Sequence, residues 1–261
     1  MSGAVYNSRD YYVVKSNELI QKSRFQLSLQ EQKAIALICS MIQPIQKEGN
    51  NKEIVDWKLE YEFNIVQYCK ICGIDYSNGK NYINVKATLK SLSDRSMWLE
   101  IGEEEVLVRW LSKVRMNKRS GKVKIEIDRD LAPYLFDLKK RFTQYQLYNI
   151  LSMNSAFSIR VYEILKSYEF TRKKKFQIDE LKHLLMVDNV KSYANFKDFR
   201  KYVLDKAIDE INEYTDIQVQ YKTIKKGRRV EWIEFEIVRE SLINQTIKRH
   251  KLENEKSVAT F

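Results

Sequence analysis

The chain has 261 residues, 44% of them hydrophobic and 12% aromatic, which is core material for folded domains and too much for a disordered chain; by length, two domains are the natural division. Its 46 Lys and Arg against 35 Asp and Glu give a net charge of +11, spread along the chain rather than gathered in one tail, which suits a folded surface for a polyanion or, on charge alone, a merely soluble basic protein. Met1 to Lys15 holds no charged segment leading into an apolar run, no stretch of about 18 apolar residues occurs, and three cysteines fit a reducing compartment better than a disulfide framework, so secretion and membrane spanning are disfavoured and a cytoplasmic protein is expected.

Ser28-Leu-Gln-Glu31 reads as a capping box opening a helix with Ile35, Ile38 and Met41/Ile42 at helical spacing, closed by Pro44 and Gly49-Asn50-Asn51. Alternation predicts a strand over Trp57 to Tyr61, then a helix from Phe63 to Cys72 that Gly73 stops. After a loop from Asp75 to Lys80, Tyr82, Val85, Leu89 and Leu92 mark one face of a further helix. Trp98 to Ile101 and Glu105 to Lys113 read as strands, and Asn117 to Gly121 turns the chain into a strand over Lys122 to Ile127.

Helices are expected over Thr143 to Met153 and Ala156 to Phe170. The earlier order then returns: a short helix over Ile178 to Val187, a loop from Asp188 to Asn195 and a longer helix over Phe196 to Tyr214. A hairpin follows, pairing Ile217 to Tyr221 with Val230 to Val238 around the basic turn Lys225 to Arg229. Helix, loop, helix, basic hairpin thus occurs twice. That argues for duplicated architecture rather than one continuous sheet with crossover helices. A helix pair followed by a hairpin is the winged form of helix-turn-helix, so the expected class is α+β with two tandem winged-helix domains, 1–138 and 139–240, and a polar tail, 241–261, weakly ordered past Lys251.

In the second unit Lys197, Arg200 and Lys201 open the long helix while Asp209, Glu210 and Glu213 close it. This opposes the macrodipole, which favours acids at the start by about 0.3–1 kcal/mol each. A phosphate or base edge would supply the missing anion, and Arg200 offers a fork to guanine; Asp198 weakens the argument, and a solvated helix face is the alternative. Lys222, Lys225, Lys226, Arg228 and Arg229 crowd the hairpin, with Gly227 at its turn, as a wing tracking a phosphate backbone would require; Arg172 to Lys175 add to the charge. In the first unit the candidates are Asn84, Lys86 and Lys90 on the helix and Lys118 and Arg119 at the turn. Glu103, Glu104 and Glu105 would repel phosphate there and suggest a protein-contact role.

Catalytic readings fare poorly. His183 and His250 are the only histidines, so no paired-histidine metal site and no Ser-His or Cys-His arrangement is legible. Cys69-x-x-Cys72 has no second pair and sits in an apolar helix, where core packing is the simpler account. Gly79-Lys80 lacks the rest of a phosphate-binding loop, and DNA nicking would need a metal that no histidine cluster holds. Neither a cofactor, a metal nor enzymatic activity is expected.

Three segments resemble the initiator proteins of iteron-containing, theta-replicating plasmids, the Rep/RepB superfamily: Val14 to Ile20 followed by Leu27 to Lys33, Ser158 to Leu165, and Phe199 to Asn212 with Thr215-Asp216. The resemblance spans about residues 11 to 240. It implies double-stranded origin repeats as ligand, with the second winged helix giving most base readout and the first giving backbone contacts and dimerisation. It implies a homodimer that represses its own promoter, in equilibrium with a monomer that opens the origin and recruits host replication proteins. Mapped onto this chain, Lys197, Arg200 and Lys201 are base-reading candidates and the five hairpin cations are backbone candidates. Arg160 is either a phosphate contact or, preferably, the partner of Glu163 on the same helix. A transcriptional regulator of the same architecture, without a replication role, is the alternative, and a metal-dependent nicking enzyme a third.

Overall fold

The computed structural model describes residues 11–42, 58–74, 80–136 and 141–258; the expected loops at Pro44 to Asn51 and from Asp75, and the strand start at Trp57, lie outside these. The chain divides into two compact units, 1–151 and 152–261.

The first unit opens with β1 (Tyr12–Ser16) and α1 (Asn17–Lys22), where the Ser16 hydroxyl caps the helix by accepting from the Leu19 N–H. The capping box at Ser28 is complete: the Ser28 Oγ accepts from the Glu31 N–H at 3.3 Å and the Glu31 carboxylate accepts from the Ser28 N–H at 2.6 Å. It starts α2 (Leu29–Met41), in which Ala34 to Cys39 are all buried, so the helix runs through the core rather than along the surface. β2 (Glu60–Asn64) leads into α3 (Ile65–Cys72), which ends at Gly73 with φ +68, a left-handed conformation that glycine adopts without steric cost. α4 (Lys80–Asp94) buries Val85, Leu89 and Leu92 as their spacing predicts.

Two separate hairpins follow. β3 (Ser96–Ile101) and β4 (Glu104–Arg109) form a two-stranded sheet, while β5 (Leu111–Met116) and β6 (Lys122–Ile127) join β2 in the order β2-β6-β5. The single strand expected over Glu105 to Lys113 is therefore two. Trp110 is the break, 1% exposed and packed edge-on against Phe25 at 5.1 Å. After α5 (Ala132–Phe136), the segment expected to begin a helix at Thr143 is instead β7 (Phe142–Gln146), antiparallel to β1 with Val13 opposite Tyr145; only Tyr148–Leu151 is helical, as α6. This pairing joins the two ends of the first unit, and the chain divides at 151/152 where 138/139 was expected.

In the second unit α7 (Ala156–Lys166) is shorter than expected. It gives way to a 3₁₀ turn at Glu169–Thr171 that leaves Phe170 98% exposed. The strand β8 (Lys173–Gln177) is followed by α8 (Ile178–Leu184) and then by a helix in three consecutive stretches: α9 (Phe196–Phe199), a π-helical turn (Arg200–Asp205) and α10 (Lys206–Tyr214). Strands β9 (Ile217–Lys226) and β10 (Arg229–Arg239) form the long hairpin, and the sheet order is β8-β10-β9. Ile217, Val219, Ile233, Phe235 and Ile237, with Phe176 opposite Ile233 on β8, are buried on its inner face, and Phe199, Val203 and Ile211 of the long helix are buried as well.

The polar tail expected from residue 241, weakly ordered only past Lys251, holds α11 (Leu242–Val258). Lys248 fixes it: its Nζ donates to the carbonyls of Asn212 at 2.6 Å and Thr215 at 3.1 Å and pairs with Glu240 at 3.1 Å. A cation thus sits on the carbonyls that the end of α10 leaves open.

Candidate nucleic-acid interface

The helix that begins at Phe196 is started by Asn195, whose side chain accepts from the Asp198 N–H at 2.8 Å and donates to the Asp198 carboxylate at 2.6 Å. Asn195 and Asp198 thereby complement the helix start, so the reversed charge pattern is less complete than the sequence suggests. Phe199, Val203, Leu204, Ala207 and Ile211 are buried, which turns Lys197, Arg200 and Lys201 to solvent. Lys197 makes no ion pair with the described residues. Lys201 lies 5.1 Å over the ring of Tyr202, and Arg200 Nε is 3.4 Å from the Asp205 carboxylate.

The hairpin separates its five cations into two groups. At the tip, Gly227 has φ +62 at the first position of a two-residue turn, where a II′-type hairpin needs glycine. Lys225, Arg228 and Arg229 are exposed around it and form no ion pair among the described residues. Lys222 instead meets Glu234 directly across the ladder at 2.6 Å, and Lys226 meets Glu231, beside the bulge between Val230 and Trp232, at 3.4 Å. On the neighbouring edge strand Lys173 pairs with Glu236 at 2.9 Å, while Lys174 and Lys175 lie over the rings of Tyr168 and Trp232 at 4.7 and 4.4 Å. Lys173, Lys222 and Lys226 are therefore neutralised across the sheet, Lys174 and Lys175 keep their charge over aromatic rings, and the hairpin's own unpaired cations are those at its turn.

In the first unit Asn84, Lys86 and Lys90 are exposed on α4, Lys90 being held by Asp94 at 2.6 Å. Lys118 and Arg119 are exposed at the β5–β6 turn, which is fixed by Asn117, whose Oδ1 accepts from the N–H groups of Arg119 and Ser120 at 3.0 Å each. Glu103, Glu104 and Glu105 are not on this hairpin but at the tip of β3–β4. The acids and the basic turn thus belong to different hairpins, a separation invisible while Glu105 to Lys113 reads as one strand.

Arg160 is 3% exposed on α7, and burial draws its guanidinium down to about 10 while the charge of Glu163, itself 1% exposed, works the other way. It is a core residue. Cys69 and Cys72 are buried in the first unit, where burial pushes the Cys69 thiol up, the opposite of what a metal-binding thiolate needs. His183 faces Asp188 across 3.0 Å. The sequence reading missed Tyr202, 53% exposed on the same helix as Lys197 and Arg200. Its exposure could have been read from the spacing, since Phe199, Val203 and Leu204 leave position 202 on the outer face.

Comparison with known proteins places these units. The family model described as Initiator Replication protein, WH1 matches residues 12–166, and that described as Initiator Rep protein, WH2 matches residues 177–237. A replication initiation protein of Escherichia coli is 28% identical over 235 residues, 86% of this chain and 69% of that protein. The PI protein of Escherichia coli is 28% identical over 148 residues, 51% of this chain and 48% of its own, so the match spans about half of that relative. The crystal structure of the Pi initiator protein in complex with iteron DNA shares the fold, with a TM-score of 0.69 at 21% identity over 89% of this chain and 99% of that one. With the WH1 model matched over residues 12–166, more than half of the chain, and the WH2 model following over 177–237, the chain belongs to the initiator replication protein family.

Proposed function

We propose that the chain is a plasmid replication initiator that binds directly repeated double-stranded DNA at a replication origin and acts without chemistry of its own. The observation that carries this reading is the cluster of unpaired cations at the second unit's hairpin turn, Lys225, Arg228 and Arg229, in a chain whose family is that of replication initiators. Cations left unneutralised at the turn of a hairpin whose Lys222 and Lys226 are paired suit phosphate contact, since each phosphate neutralised releases counterions. Lys197, Arg200 and Lys201 read base edges on this account, and the first unit contributes Asn84, Lys86, Lys90, Lys118 and Arg119 to the backbone together with a dimer contact. The dimer represses the chain's own promoter; the monomer opens the origin and recruits host replication proteins. Such a protein works in the cytoplasm, and no helix among the described residues is long and apolar enough to cross a membrane.

The test is titration of the purified chain onto DNA flanking its own gene and onto scrambled DNA, with footprinting at several salt concentrations. Regularly spaced protected repeats beside an AT-rich segment support the initiator. Sites confined to a promoter turn the reading to a transcriptional regulator, and equal binding to scrambled DNA overturns sequence recognition altogether. Supercoiled origin DNA should stay intact with Mg²⁺ or Mn²⁺; cutting would overturn the absence of chemistry.

A further inference from the structure

Arg200 and Asp205 are five residues apart. On a regular α-helix that spacing would turn them roughly 140° from each other, yet the Arg200 Nε lies 3.4 Å from an Asp205 carboxylate oxygen. The two residues bound the π-helical turn Arg200–Asp205, whose i to i+5 winding takes up one extra residue per turn and brings such a pair onto one side. The other Asp205 oxygen accepts a hydrogen bond from the Tyr221 hydroxyl, which reaches across from β9. Tyr221 is itself fixed: it is half-buried, its ring sits 5.8 Å from that of Phe235, and burial followed by the bond to Asp205 pushes its hydroxyl well above the usual tyrosine range, so it remains a donor. A wing strand, a distorted helical turn and a solvent-facing guanidinium are thus joined through one carboxylate.

We propose that Asp205, held by Tyr221, is a positioning residue that sets how Arg200 is presented to DNA and thereby part of the sequence specificity. This rests on the reading above that Arg200 faces base edges. A guanidinium anchored through Nε keeps its two terminal nitrogens in a fixed plane, the arrangement a bidentate contact to guanine needs. An unanchored arginine samples many rotamers and loses that ordering on binding. The carboxylate has a second effect: its negative charge beside the helix surface disfavours indiscriminate phosphate contact.

The experiment uses the full chain, with a duplex selected from a random library as specific probe and a scrambled duplex as control, and reads the affinity ratio between them. Tyr221→Phe keeps the ring against Phe235 and removes only the hydroxyl; the ratio should fall roughly tenfold. Asp205→Asn still accepts from Tyr221 but loses its charge, and should lower the ratio while raising affinity for the scrambled duplex. In an Arg200→Ala background neither change should lower the ratio further, whereas a merely structural role would add its loss to that of Arg200. Melting curves identify any variant that fails to fold, and the remaining one then carries the comparison. If Arg200→Ala abolishes discrimination while the folded Tyr221 and Asp205 variants keep it within twofold, or if their losses add to that of Arg200, positioning is overturned. If the parent selects no duplex at all, it is the DNA-recognition reading that fails.

Discussion

Asn212, on α10, closes the unpaired edge of the second unit's sheet with its side chain: its Nδ2 donates to the Val219 carbonyl at 2.9 Å and its Oδ1 accepts from the Val219 N–H at 2.7 Å. Val219 lies on β9, an edge strand, opposite Ile237, whose own N–H donates to the Arg172 carbonyl at 2.8 Å. The Val219 backbone groups therefore point away from the ladder, and one amide side chain completes them as a neighbouring strand would.

Replacing Asn212 with alanine leaves both Val219 backbone groups, on a residue 1% exposed, without that partner. The expected cost is about 1–3 kcal/mol, read as a lower denaturant midpoint. An unchanged midpoint would mean that water substitutes fully and that the edge needs no side-chain closure.

Glu31 gives a pH-dependent prediction. Burial alone would raise its carboxyl, but hydrogen bonds from Ser91 and from the Ser28 backbone and hydroxyl, with the charge of Arg95, hold it below the usual carboxylate range. A depressed folded-state value contributes stability above the unfolded value and loses it as pH falls through the folded one. Glu31→Gln keeps the reach of the capping box but not the charge, so it should cost about 1 kcal/mol at neutral pH. The gap from the parent should then narrow below about pH 4.5. A gap that persists unchanged into acid would locate the loss in packing rather than in charge.

The elements that the sequence makes legible are those whose pattern comes from one strong physical source. The box at Ser28, the Gly73 stop and the Val85/Leu89/Leu92 face rest on local capping or on a single buried stripe. The three short strands that escape notice have mixed sources. In β7 the inward positions are Thr143 and Tyr145, and the buried Thr143 hydroxyl donates to the Asn17 Oδ1 at 2.6 Å, a tertiary partner that no local pattern announces. In β1 four consecutive residues are buried, Lys15 among them, which removes the alternation. In β8 three consecutive lysines precede the strand's one buried residue, Phe176, and a strand so charged at a sheet edge resists further pairing. For the interface, the identity of the cations is legible but their state is not: that Lys222 and Lys226 are paired and Lys225, Arg228 and Arg229 are not depends on the cross-strand register and on the bulge after Val230.

Arg160 tests the distinction between a basic residue that binds and one that folds. Its burial with Glu163 leads us to expect that Arg160→Ala destabilises the second unit by about 3 kcal/mol or more, since removing one member strips the positive charge from a buried carboxylate. Arg160→Met, apolar and of similar length, should cost less. Were Arg160→Ala as stable as the parent but shallower in the salt dependence of DNA binding, the residue would be a phosphate contact after all.

The two groups of hairpin cations should separate in a salt titration. Each phosphate contact adds about 0.9 to the slope of log affinity against log salt. Alanine at Lys225, Arg228 or Arg229, whose charges are free, should each flatten the slope by about that amount and weaken specific and scrambled duplexes alike. Alanine at Lys222 or Lys226 should flatten it by less, because Glu234 and Glu231 already neutralise those charges and breaking an exposed pair gains little. Equal flattening at all five positions would mean that the ion pairs open when DNA arrives, and that the whole length of the wing, rather than its turn, lies along the phosphate backbone.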